Sequence, residues 1–186
     1  MQAVIISGSR NPTGQTGRAI AALAEGLSQG GCQAKTFFLP SLRIERCRQC
    51  DERGWGACRS EGKCVVEDDL ASLVDRIRSA QVVVFATPVY WGDLSESLRA
   101  FLDRLRRITR HDAGREGITG KIAAGIGLAG GGGGGSYSCS TNLDNILRIC
   151  GFDVVDVVPV RRQNLDAKIP ILQSTGRWLA TSPHSG

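Results

Sequence analysis

Residues Val82-Val83-Val84-Phe85-Ala86-Thr87 form an apolar, β-branched run that stops at Pro88 and opens into Val89, Tyr90, Trp91 and Gly92. The run is too short to cross a bilayer, and its lack of polar alternation suits a parallel strand covered on both faces. Pro88 has no N–H to give a neighbour, so the ladder is expected to end there. The residues after it then form a loop at the carboxyl end of a central strand, where open α/β sheets bind ligands. Tyr90 and Trp91 can cover a flat aromatic ring, and Gly92 lets backbone approach it. The competing reading makes both aromatics core or interface residues.

The rest of the chain supplies strands and helices in alternation. Ala3–Ile6 is a short apolar strand. A helix comes next, with Ile20, Leu23, Ala24 and Leu27 on one face, ended by Gly30-Gly31. A second strand is expected from about Gln33 to Leu39, ended by Pro40. Asp68-Asp69 open a helix carrying Leu70, Leu73, Val74 and Ile77. Behind the central loop, Asp93 or Ser95 is expected to cap a helix with the stripe Leu98, Phe101, Leu102, Leu105 and Ile108. Lys121–Ala129 and Val154–Val158 read as the last two strands. Between them Leu143, Ile146, Leu147 and Cys150 mark a short helix. A weaker helix is expected around Ile171–Ala180, interrupted by Gly176, with frayed residues after it. Five strands alternating with helices predict a doubly wound parallel sheet, and right-handed crossovers leave few topologies. The order 2-1-3-4-5 gathers the loops after strands one, three and four around one crevice.

Those three loops carry the unusual residues. Ser7-Gly8-Ser9-Arg10-Asn11-Pro12-Thr13-Gly14-Gln15-Thr16 turns from a buried strand into a helix, offering free N–H groups, hydroxyls and a helix dipole to a phosphate. It is not a nucleoside-triphosphate P-loop: Gly8 to Gly14 is one residue too long, and Gln15-Thr16 stands where Lys-Ser/Thr belongs. A capped polar turn is the bland alternative. Gly130 to Gly135 can bring backbone against a flat ligand edge, or serve as a flexible linker. A homopolymer matches the dinucleotide pattern G-x-G-x-x-G trivially.

The 186 residues suit one domain, over 1–186, with a cysteine-bearing excursion at about 41–64. The net charge of +5, from 23 basic and 18 acidic residues, favours anionic ligands mildly without arguing for nucleic acid. The first strand begins at Ala3 and nothing reaches transmembrane length, so the expected setting is the cytoplasm, with no membrane partner. Seven cysteines in a reducing compartment read as thiols or metal ligands. Cys32 and Cys150 fall in apolar patterns and are expected in the core. Arg104, Arg106, Arg107 and Arg110 crowd a helix end, where they read as solvated charges suited to the dipole, and His111 as a surface residue.

The Ser7–Thr16 turn, the segment Thr87-Pro88-Val89-Tyr90-Trp91-Gly92-Asp93-Leu94-Ser95 leading into Leu98-Arg99-Ala100-Phe101-Leu102-Asp103-Arg104, and the late glycine loop together resemble the NADPH-dependent FMN reductase family of flavodoxin-like proteins. The match is weakest beyond about Arg161. The resemblance implies that Ser9, Arg10, Asn11, Gly14, Gln15 and Thr16 hold the FMN phosphate. It implies too that Pro88, Val89, Tyr90, Trp91 and Gly92, with Gly130, Gly131, Gly132, Gly133 and Gly134, contact the isoalloxazine. Relatives often carry Ser-Pro-Arg where this chain has Ser9-Arg10-Asn11, a departure that bears on the arginine. Cys47-Arg48-Gln49-Cys50, then Cys58 and Cys64, look like the compact cysteine motif of the family's iron–sulfur flavoproteins. The seven residues between Cys50 and Cys58 exceed that branch's usual gap. A 4Fe-4S cluster, a zinc ion and unmetallated thiols all stay open.

The activity these residues imply is an oxidoreductase in which NAD(P)H gives a hydride to flavin N5 and the flavin reduces a quinone, small electrophile, metal ion or electron carrier. No acid–base residue is then required. The alternative is an iron–sulfur electron carrier or redox-sensing module with no small-molecule substrate of its own. The resemblance also implies a homodimer or homotetramer.

Overall fold

The computed structural model describes residues 1–182; residues 183–186, where fraying is expected, lie outside the described residues. The parallel strands are β1 (Gln2–Ser7), β2 (Gln33–Phe38), β3 (Val82–Tyr90), β5 (Ile122–Ala129) and β6 (Asp153–Arg161). They are ordered β2-β1-β3-β5-β6, and a two-residue β4 (Asp93–Leu94) pairs antiparallel with the end of β3. With β4 set aside, this is the expected 2-1-3-4-5.

The central run shows why it lacks polar alternation. Val82, Val84 and Ala86 face a cluster with Ile20, Leu23 and Leu27 of α1 (Gln15–Gln29) and Leu172 and Leu179 of α6 (Leu165–Thr181). Val83 and Phe85 face the other cluster. There they meet α3 (Leu70–Ser79), α4 (Glu96–Thr109) and α5 (Ser136–Ile149), with a one-turn α2 (Ala57–Ser60) in the excursion. All five residues are fully buried, so either face tolerates only apolar groups. The helical stripes read from spacing are buried as well: Leu70, Leu73, Val74 and Ile77 in α3, and Leu98, Phe101, Leu102, Leu105 and Ile108 in α4.

Pro88 does not end the strand. It pairs in register with Leu128 of β5, and β3 runs on to Tyr90. Pairing with β1 has already stopped at Ala86, so Pro88 sits where β3 has a parallel neighbour on one side only and a missing N–H costs little. Ser95 occupies the N-cap position of α4, but its hydroxyl does not cap the helix: it donates to the Gly8 carbonyl at 3.2 Å. The helix before β6 is also longer than its apolar residues suggest, beginning directly after the glycine run.

Gly176 does not interrupt α6. A Cβ there would overlap the Leu23 carbonyl oxygen and come within 2.8 Å of the Leu27 nitrogen; one at Gly26 would overlap the Gln173 carbonyl oxygen. The two glycines therefore let α1 and α6 meet backbone to backbone, which outweighs the ~1 kcal/mol that glycine costs in a helix. Gly176→Ala is expected to destabilise by about 1–3 kcal/mol despite alanine's better propensity, read as a lower urea midpoint with an unchanged m-value.

Candidate functional site

The loops after β1, β3 and β5 border one cleft of about 990 Å³ at the carboxyl end of the sheet. Its lining takes Ser9, Asn11, Gly14, Gln15 and Thr16 from the first loop and the start of α1, and Pro88, Val89, Tyr90 and Trp91 from the end of β3 and its turn. The third gives Leu128, Ala129 and Gly130 to Gly134. Leu128 and Ala129 were not legible as site residues, since the sequence marks them only as the end of a strand. Two expected contacts lie off the lining. Arg10 is exposed beside the cleft. Gly92 instead serves loop packing, because a Cβ on Gly135 would come 2.6 Å from the Gly92 Cα.

The floor of the cleft suits an anion. Gly14, the N-cap of α1, supplies no side-chain cap, so the first helical N–H groups at Gln15, Thr16 and Gly17 lack the usual capping acceptor. Ser9 and Thr16 stand there with their side chains largely buried, at 7% and 4% exposure. The loop is fastened from both sides. Gly17, which no sequence motif marks, carries no Cβ because one would overlap the Pro12 carbonyl oxygen. The Gly8 carbonyl accepts from Ser95 Oγ (3.2 Å) and Ser97 Oγ (3.1 Å), and the Thr87 hydroxyl accepts from the Ser95 N–H (3.0 Å). Across the cleft, a Cβ on Gly130, Gly131, Gly132 or Gly134 would meet nothing within 4 Å. The glycine loop is nonetheless braced: Gly133 N–H bonds the Gly130 carbonyl (2.7 Å) and Gln163 Nε2 bonds the Gly131 carbonyl (2.8 Å).

Trp91 and Gly92 form the two-residue turn between β3 and β4, with φ of +54° and +77°, the φ signature of a type I′ hairpin. Tryptophan in left-handed backbone is costly, and this indole is fully exposed at the cleft wall, with Tyr90 at 46% exposure beside it. Neither aromatic is a core residue. Trp91→Asn, which restores the favoured Asn-Gly pair, is expected to raise the thermal midpoint of ligand-free protein by about 1–3 °C.

A second cavity, of about 20 Å³, lies under the 41–64 excursion and is bordered by Cys47, Cys50, Cys58 and Cys64 with Trp55, Arg104 and Arg107. Arg104 is not a solvated charge. At 1% exposure it pairs with Asp68, whose side chain is itself buried: Nη1 donates to Oδ2 (2.5 Å) and Nη2 to Oδ1 (3.0 Å). The same guanidinium donates to the Glu45 carbonyl (3.0 Å) and to Cys64 Sγ (3.2 Å), leaving its Nε without a partner. Burial would push the Asp68 carboxyl up, but hydrogen bonds from Arg104 and from the N–H groups of Glu45 and Leu70 hold it below the usual carboxylate range. Arg107 bonds the Gly54 carbonyl and lies over the Trp55 ring, against which His111 packs edge-on at 4.9 Å, so His111 is half-buried. Arg106 pairs with Asp103, and Arg110 is the exposed member of the group.

The donor chemistry of four thiols suits a soft metal, but their placement does not. Among the described residues no three Cys, His, Asp or Glu side chains group as metal ligands. The cavity has room for about one water. Cys32, Cys139 and Cys150 are buried apart from it, and burial pushes the Cys139 and Cys150 thiols up to about 12.

A doubly wound sheet with an anion-suited helix start, exposed aromatics and a glycine loop on one cleft defines a flavodoxin-like protein. The chain matches the profile of the NADPH-dependent FMN reductases over residues 1–163 and belongs to that family, which makes it an NAD(P)H-dependent flavin oxidoreductase by class. It is 27% identical over 150 residues to an iron–sulfur flavoprotein of Methanosarcina thermophila, spanning 81% of this chain and 74% of that one. An iron–sulfur flavoprotein of Archaeoglobus fulgidus is 30% identical over 144 residues, spanning 77% and 67%. Among solved structures, an NAD(P)H:quinone oxidoreductase from Methanothermobacter marburgensis superposes with a TM-score of 0.74 at 22% identity, over 100% of this chain and 99% of that one. No helix among the described residues is long and apolar enough to cross a membrane.

Proposed function

We propose that the cleft holds FMN and that the protein passes electrons from NAD(P)H to a quinone, another small electrophile or an electron carrier. The observation that carries this reading is the convergence of the uncapped α1 start, the Tyr90–Trp91 hairpin and the open glycine loop on one cleft. Its volume lies at the upper end of the range usual for cofactor sites. FMN supplies the hydride chemistry at its ring; the protein's task is to bind, orient and shield.

In this reading the N–H groups of Gln15, Thr16 and Gly17, with the Ser9 and Thr16 hydroxyls, hold the phosphate. Tyr90 and Trp91 cover one face of the ring, so the variant Trp91→Asn, expected to be more stable, is also expected to bind flavin more weakly. Backbone of Gly130 to Gly134 borders the ring edge, and a side chain at Gly130, Gly131, Gly132 or Gly134 would enter open space that the ring could use. Arg10 sits near enough to add long-range attraction without a place in the lining. No side chain is assigned an acid–base role. We place the protein in the cytoplasm, as a homo-oligomer.

The test is competition between FMN and riboflavin, which differ in the phosphate alone. FMN should bind at least about tenfold tighter, and Thr16→Ala should erode that advantage while leaving riboflavin affinity alone. Equal affinities would contradict a phosphate site at the α1 start.

The relatives' iron–sulfur names, together with four cysteines around one cavity, favour a second reading in which the chain also carries a cluster. It requires the four thiols, no three of which group in this fold, to close on one point, with Cys50 coming in from an exposed position. No electron step is assigned to this pocket. Iron, sulfide and zinc analysis of anaerobically purified protein decides it: stoichiometric iron and sulfide support the cluster, and their absence with four alkylatable thiols rejects it.

A further inference from the structure

We propose that Arg161, beside Tyr137 at the glycine-loop rim, selects an anionic co-substrate: the 2′-phosphate of a nicotinamide dinucleotide or the acidic group of an acceptor. The inference rests on the reading of the adjoining cleft as the flavin site. Strand β6 is longer than its apolar residues suggest, and the extra length carries Arg161 to the carboxyl end of the sheet, in register with the cleft-lining Ala129. Its backbone N–H is held by Asn164 Oδ1 at 2.8 Å, which fixes the turn.

The side chain has a built seat. A Cβ on Gly133, a cleft-lining residue at φ +79°, would lie 3.0 Å from Arg161 Cδ and 3.2 Å from Cγ, so the arginine stem fills the space a larger residue would take. The guanidinium then lies 5.8 Å from the centroid of the Tyr137 ring, which is 66% exposed. Among the described residues Arg161 is in no ion pair, whereas Arg18 is neutralised by Asp166 at 2.7 Å. An unpaired guanidinium within cation–π range of an exposed phenol offers an anion its charge, with an aromatic surface beside it. Arg161 and Tyr137 stand outside the cleft lining, Tyr137 bordering a neighbouring cavity, while Trp91 presents a second exposed aromatic surface on the hairpin that lines the cleft.

Arg161→Met keeps the stem against Gly133 and removes the charge; Arg161→Lys restores it. With FMN-loaded protein, calorimetry should give dissociation constants for NADP+ against NAD+ and for a naphthoquinone sulfonate against the unsulfonated quinone. In Arg161→Met the affinity for at least one anionic member should fall about fivefold, with its neutral or less charged counterpart and FMN itself within about twofold. Arg161→Lys should recover most of the loss. A loss confined to NADP+ identifies the dinucleotide 2′-phosphate as the partner, and one confined to the sulfonate identifies the acceptor. Equal changes in all four constants, weakened FMN binding, or no change would overturn the proposal and leave Arg161 a brace. Failure of the wild-type chain to take up FMN would instead refute the cleft reading on which the proposal rests.

Discussion

Replacing Arg104 with methionine is expected to remove about 3–5 kcal/mol of stability, much of what a domain of this size possesses. The loss comes less from the attraction itself than from what is left behind: the buried Asp68 carboxyl would have only the Glu45 and Leu70 N–H groups to satisfy it. The Glu45 carbonyl would lose its partner as well, so both ends of the 45–64 excursion would loosen together. Adding Asp68→Leu should recover part of the deficit and no more, because the Glu45 and Leu70 N–H groups would lose their acceptor. Urea unfolding reads the global loss, and limited proteolysis between Glu45 and Cys64 reads the local one. The sign of the pH dependence comes from Asp68. Its folded pKa lies below the unfolded value near 4, so the stabilisation is present above that pH and is lost as pH falls through the folded pKa. The gap between wild type and Arg104→Met should therefore narrow on acidification from about pH 5 downward. A constant gap would mean that packing, not charge pairing, makes Arg104 important.

Gly17→Ala should lower FMN affinity by about a hundredfold while the sheet and the other loops persist. Alanine is ordinarily the better helix former, by about 1 kcal/mol. Here its methyl would overlap the Pro12 carbonyl oxygen, a backbone atom that can retreat only by unseating the Asn11–Gly14 turn. That turn presents the α1 N–H groups to the cleft, each charge-assisted bond is roughly twice as strong as a neutral one, and a misplacement by about an ångström can cost about a hundredfold. Riboflavin should bind almost as before, since it lacks the group these donors hold. Fluorescence titration of both ligands checks the pair of expectations, and circular dichroism confirms the retained fold. Parallel losses for both ligands would show that Gly17 supports the whole cleft, not its phosphate end.

The sheet was legible because burial on both faces leaves a signature that few other arrangements produce. Val82 to Ala86 are apolar at every position for that reason, and the same holds for the alternation of strands and helices around them. The errors arise where tertiary neighbours overrule a local rule. Pro88 is tolerated inside a strand because β1 has already ended. Gly176 sits inside a helix because Leu23 needs its space. Ser95 stands at an N-cap position while its hydroxyl serves Gly8.

Arg104 does carry a signal of its burial in the sequence. It lies three residues after Phe101 and four before Ile108, on the buried stripe of α4, where an arginine must find a carboxylate. The acidic pair Asp68-Asp69 supplies that carboxylate, although locally it reads only as a helix start. In the cleft, motif chemistry pointed to the polar and glycine loops, while Leu128, Ala129 and Gly17 contribute through position and carry no chemical mark. For the cysteines, spacing supplied candidates and could not supply geometry: all four border one cavity, yet among the described residues no three group as ligands.

The central claim is that this cleft binds FMN where reduced nicotinamide can reach it. Protein reconstituted with FMN, freed of unbound flavin and mixed anaerobically with NADPH or NADH, tests it in one experiment. One flavin should be retained per chain, and its visible absorbance should bleach on addition of stoichiometric NAD(P)H and return when a quinone is added. A chain that retains no flavin, or a bound flavin that neither nucleotide bleaches, would contradict that claim.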